Sequence, residues 1–131
     1  MSAKGACLAG LDLRGAQLQG ANFEKADLRG ALLGKADLRG ARFGEALMTK
    51  VDLTAADISP LPLGPTRCVP SNLGGARMRY AELVRADLSK ANLTGADLSG
   101  ANATGAKLDG ATLTDARLDR VTGLVQPAVA A

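Results

Sequence analysis

The side chains best suited to chemistry gather near the middle of this sequence. Residues 59–70 read "SPLPLGPTRCVP" and place Arg67 beside Cys68. Arg77 and Arg79 follow, then Tyr80, Val84 and Arg85. This is the densest basic and apolar neighbourhood in the chain, and it suits recognition of a partner. Arginine presents a planar charged fork, and tyrosine an apolar ring with a polar tip. A thiolate at Cys68 would gain from Arg67, which makes a reactive thiol one reading and an inert loop cysteine the plainer one.

Other chemistry is thinly represented. The chain has no histidine, which removes the commonest general base and metal ligand. Its two cysteines, Cys7 and Cys68, are far apart and form neither a zinc cluster nor a disulfide framework. No phosphate-binding glycine fingerprint occurs. Neither an enzyme nor a cofactor is therefore expected.

Composition narrows the class further. The 131 residues suit one domain, with 47% hydrophobic residues but only Phe23, Phe43 and Tyr80 as aromatics. Any core must be leucine and alanine. Sixteen basic and 13 acidic residues give +3, a mixed balance that fits a solvated surface better than a nucleic-acid groove. The opening "MSAKGACLAGLDL" lacks an apolar signal segment, and no run approaches a membrane span. A soluble, cytoplasmic protein is expected.

The elements that must position those side chains announce themselves by a repeat. From Leu8, an apolar residue recurs every five positions to Ile58, and again from Leu73 to Leu118, with Ala103 as its weakest member. Alanine usually stands two places before each centre, Asp or Asn one before, and Gly two after. A period of five fits neither the 3.6-residue helix nor the two-residue strand. It predicts short extended pieces joined by bends, with the centre and the alanine inward. Glycine at the third place of the bend fits a type II turn, which needs positive φ there.

These phrases, "ADLRG", "ANLTG" and "ADLSG" among them, closely resemble the pentapeptide repeat family over about residues 6–58 and 71–122. The resemblance implies a right-handed quadrilateral parallel β-helix with four repeats per coil. About 21 repeats would then make roughly five coils, a rod about 25 Å long at a strand spacing of about 4.8 Å. Residues 20 apart would stack. Phe23 would lie on Phe43, Lys25 would meet Glu45, and Arg77, Asp97 and Arg117 would alternate in sign. Asp37 and Asp57 form a like-charge exception.

The proline stretch keeps the count of five but cannot keep the coil. Pro60, Pro65 and Pro70 would all fall at the bend, where locked φ forbids the turn. A protruding loop over about 60–70 is expected, beside Arg77 and Arg79. The tail "VTGLVQPAVAA" leaves the repeat. It reads either as a cap or as a homodimer contact through Leu124, Val125 and Val129 at an end coil.

Function is less legible. A non-enzymatic interaction module with a protein partner is the leading expectation, with Arg67, Arg77, Arg79, Tyr80 and Arg85 as candidate contacts. By family resemblance, a DNA-mimicking gyrase-binding protein is an alternative, although +3 is the wrong sign for a mimic. Weak nucleic-acid binding through the central arginines is another, disfavoured by the scarcity of aromatics.

Overall fold

The protein is described by a computed structural model covering residues 1–124. One repeat, Ala26–Gly30, shows why the chain coils. The Ala31 N–H donates to the Leu28 carbonyl at 3.0 Å and closes a four-residue turn. Its third residue, Gly30, has φ +67° and its second is not left-handed, which defines a type II turn. The Asp27 N–H reaches back to the Ala6 carbonyl at 2.9 Å. The Leu28 and Gly30 N–H groups reach forward to Leu47 and Thr49, at 2.7 and 3.0 Å. That leaves the Arg29 N–H, which donates to the Asp27 side chain at 3.2 Å. Every main-chain donor of the repeat is thus used, as burial beside a coil requires.

The last bond explains the Asp/Asn column. At all eleven such positions, from Asp12 to Asn102, the side chain accepts the N–H two residues on. These residues face outward, as expected, but they also close the turn from outside.

Parallel bridges link residues 20 apart, such as Cys7 to Asp27 and Asp12 to Leu32. They fall into four columns, which make four faces. Three columns have six levels and one has five, giving five coils and most of a sixth. The ladder already includes Ser2, one repeat ahead of the residue-6 start read from the sequence. The first face begins at Ser2, the second at Cys7, the third at Asp12 and the fourth at Gln17.

The interior is a ladder of centres and alanines. Phe23 and Phe43 are fully buried and stack with ring centroids 5.2 Å apart. Ser71 replaces an alanine in the small inward column and donates its buried hydroxyl to the Leu38 carbonyl at 3.3 Å. Among the described residues, no buried side-chain polar atom lacks a partner.

Ten corners carry a non-glycine residue at φ between +56° and +61°, Ala55 among them. The left-handed region costs an L-residue about 1–2 kcal/mol, and added chain entropy in the unfolded state returns about 0.4–1 kcal/mol. Ala55→Gly should therefore raise the thermal midpoint by about 2–4 °C. An unchanged or lower midpoint in a melting curve would show that the corner stores no such strain.

The proline stretch does leave the coil. Bridges before it span 20 residues, whereas those across it span 30, as in Arg42 to Asn72. The insertion is therefore ten residues, or two whole repeats, which is why the five-residue count survives it. It folds as a small antiparallel ribbon, β1 (Leu61–Pro62) pairing with β2 (Cys68–Val69). The ribbon leans back on the corner between the fourth and first faces. Leu61 covers Gly20 and Gly40, and a Cβ on Gly40 would lie 2.8 Å from the Leu61 Cβ.

Candidate docking face

The outward positions one before and one after each centre share a face, so their side chains can meet. In the phrase D-L-R they do. Arg14 grips Asp12 through Nε and Nη2 at 2.9 and 2.7 Å, and Arg29 and Arg39 hold Asp27 and Asp37 in the same way. Hydrogen bonds from the guanidinium and then the main chain lower Asp12 and Asp27 to about 2, and Asp37 is lowered as well. The closest charge pairs are therefore two residues apart along a repeat. Those between coils run 18 residues apart on the diagonal, as in Arg42 to Glu24 at 3.0 Å, not directly 20 apart. Among the described residues, Lys25 and Glu45 form no ion pair. The like-charge pair Asp37 and Asp57 is bridged by Arg39, at 2.8 and 3.9 Å.

These shifts set an acid limit. A carboxyl with a depressed folded pKa stabilises the fold above its unfolded value near 3.8 and loses that contribution as pH falls through the folded value. With no histidine to titrate, the urea midpoint should stay level between about pH 5 and 8. It should then fall between about pH 4 and pH 2. Loss beginning well above pH 5 would contradict this assignment.

The second face departs from the D-x-R rule. Its fourth coil reads R-M-R, residues 77–79, and its sixth R-L-D-R, residues 117–120. Arg29, Lys50, Arg77, Arg79, Arg117 and Arg120 stand against Asp27, Asp97 and Asp119. The other ten basic and ten acidic residues cancel over the remaining faces and the ribbon, so this face carries the entire +3. Among the described residues, Arg77, Arg117, Arg120 and Lys50 have no ion pair. Arg79 reaches Asp97 only at 3.6 Å. Burial pushes Asp97 up, but bonds from Ser99 and the charges of Arg79 and Arg117 outweigh it and leave it lowered.

Tyr80 marks the edge of this face. It occupies the corner between the second and third faces at φ +59° and is 51% exposed. Its ring lies against Gly100 one coil on, where a Cβ would come within 2.6 Å of two ring carbons. The Arg79 guanidinium sits 5.9 Å from the ring centroid. A shallow cleft of about 510 Å³ opens here, lined by Arg79, Tyr80, Ser99, Gly100, Arg117, Asp119 and Arg120.

The structure brings together only part of the group singled out from sequence. Arg77, Arg79 and Tyr80 are neighbours. Arg85 lies one corner further, between the third and fourth faces, with its side chain over Gly105. Arg67 is on the ribbon, whose corner is diagonally opposite that of Tyr80. The ribbon is thus not beside Arg77 and Arg79, because one whole face, residues 71–75 at that level, lies between its corner and the second face. Arg117, Arg120 and Lys50 were missed. The 20-residue register reaches Arg117 and Arg120, but reading Arg77, Asp97 and Arg117 as an ion-pair ladder hides their surplus. Leu124 is half-buried against the last coil, whereas Val125 and Val129 lie outside the described residues.

Five-residue turns stacked four to a coil define a pentapeptide β-helix, and the comparisons agree. The family profile described as pentapeptide repeats matches in eight copies, over 3–34, 26–59, 71–102 and 81–120, skipping the ribbon. The chain belongs to the pentapeptide repeat family, whose fold is the right-handed quadrilateral β-helix. It is similar to the pentapeptide repeat protein Rfr23 from the cyanobacterium Cyanothece 51142. That match has 28% identity and a TM-score of 0.66, covering 75% of this chain and 60% of that one. HetL, a pentapeptide repeat protein involved in heterocyst differentiation regulation from Nostoc sp. strain PCC 7120, matches at 26% identity and a TM-score of 0.48. The match covers 95% of this chain and 66% of HetL. QnrB1, a plasmid-mediated fluoroquinolone resistance protein, matches at 23% and 0.47, covering 91% and 59%. The chain therefore spans about three fifths to two thirds of the length of these structures. No curated protein matches it. Among the described residues, no helix is long and apolar enough to cross a membrane, and no cluster could hold a metal ion.

Proposed function

We propose that the protein is a non-enzymatic interaction module that docks an acidic protein surface through its second face. The observation that carries this reading is the charge distribution. A chain of mixed charge places its whole surplus on one face, and there alone arginines stand beside arginines. Tyr80 adds an exposed aromatic anchor, and tyrosine and arginine are the residues that dominate binding energy at interfaces. The core below is closed and rigid, so outward residues can serve a partner without cost to packing. The reading includes a cytoplasmic setting, where the exposed thiols of Cys7 and Cys68 stay reduced. A DNA mimic would need an acidic face, and none of the four has more than one net negative charge.

Affinity capture with three proteins tests the reading. They are the intact chain, an Arg77→Glu/Arg79→Glu variant, and a variant lacking residues 61–70 with Pro60→Gly. The deletion removes two whole repeats and puts glycine at the corner, so the coil register continues. Acidic partners should be kept by the deletion and lost by the charge reversal. The opposite pattern would move the docking site to the ribbon and Arg67.

A further inference from the structure

We infer that the notch over Gly100 is an anion subsite that takes the phosphoryl group of a phosphorylated side chain on the partner, an inference that rests on the second face being the docking face. Gly100 is the floor. Its φ of +73° suits glycine, and the missing Cβ lets the Tyr80 ring lie down beside it. Arg120 occupies the same corner column one coil beyond Gly100, so ring and guanidinium flank the notch. Arg79 and Arg117 line it from the face.

The residue type points to phosphate. Lysine fills several corners elsewhere, at Lys25, Lys35, Lys50 and Lys90, yet every basic residue lining this notch is arginine. A guanidinium fork meets phosphate oxygens two at a time, whereas an ammonium acts as a point charge. Arg79 is pre-oriented against the Tyr80 ring. Asp119 also lines the notch and Asp97 stands 3.6 Å from Arg79. Among the described residues, however, Arg117 and Arg120 hold no ion pair, which leaves two guanidinium forks for one phosphoryl group. One arginine would suffice for a carboxylate.

The protein carries its own probe. Tyr80 is its only tyrosine and it has no tryptophan, so tyrosine emission reports on this notch alone. A neutral peptide bearing one phosphoserine should change that emission saturably. Arg117→Gln/Arg120→Gln should weaken the binding by about tenfold or more. The same peptide with glutamate in place of phosphoserine should bind at least about tenfold more weakly. A linear, unsaturable quench, equal binding of the glutamate peptide, indifference to the arginine variant, or tighter binding of a single-stranded oligonucleotide would each overturn the inference. If the capture contrast holds while the phosphopeptide fails, the docking face stands and only the phosphate subsite falls.

Discussion

Phe43→Ala should lower the unfolding free energy by about 3–5 kcal/mol, the range for emptying a buried aromatic site. Phe43 is fully buried, with a coil on either side, and stacks on Phe23. A domain of this size has roughly 5–15 kcal/mol in all, so this single change should remove a large part of it. The thermal midpoint should drop by roughly 10–20 °C. The effect is large because a solenoid is held by contacts between neighbouring coils, with no distant element to take up the load. Urea unfolding of the variant beside the wild type checks the figure. A loss below about 1 kcal/mol would mean that the neighbouring coils collapse into the space.

Reversing two charges on the second face should have the largest functional effect. Arg77→Glu/Arg79→Glu takes the face from +3 to about −1 and turns attraction for an acidic partner into repulsion. Interface anchors of this type are worth about 2–4 kcal/mol when lost, so affinity should fall by about 30-fold to 1,000-fold. The fold should scarcely notice. Both residues point outward, and exposed ion pairs contribute less than about 1 kcal/mol each. Loss of binding with an unchanged urea midpoint is the expected signature. Loss of both would mean that the arginines hold the coil together.

Residues whose roles repeat every five positions were legible from sequence. The period, the inward alanines and leucines, and the glycine corners all follow from local sterics, whereas the Phe23–Phe43 stack follows from the four-repeat coil that the family resemblance implies. The departure at Pro60 follows from proline's φ. What escaped depended on distances that the repeat does not encode. The Asp27 side chain closes its turn through a main-chain bond that composition cannot distinguish from solvation. Arg39 prefers the carboxylate two residues back to one in another coil, because both leave the same short strand together. The ten-residue insertion shifts the register from 20 to 30, and this alone makes Lys50 and Tyr80 corner neighbours. Without it Arg67 looks adjacent to Arg77, when its ribbon stands at the corner diagonal to that of Tyr80.

The central claim is that partners meet the second face and not the ribbon. The most direct measurement compares partners retained by the Arg77→Glu/Arg79→Glu variant, the 61–70 deletion with Pro60→Gly, and the intact chain. A shared set of acidic proteins kept by the intact chain and the deletion, and lost by the reversal, is the expected result. A reversal variant that keeps the same partners as the intact chain would contradict it.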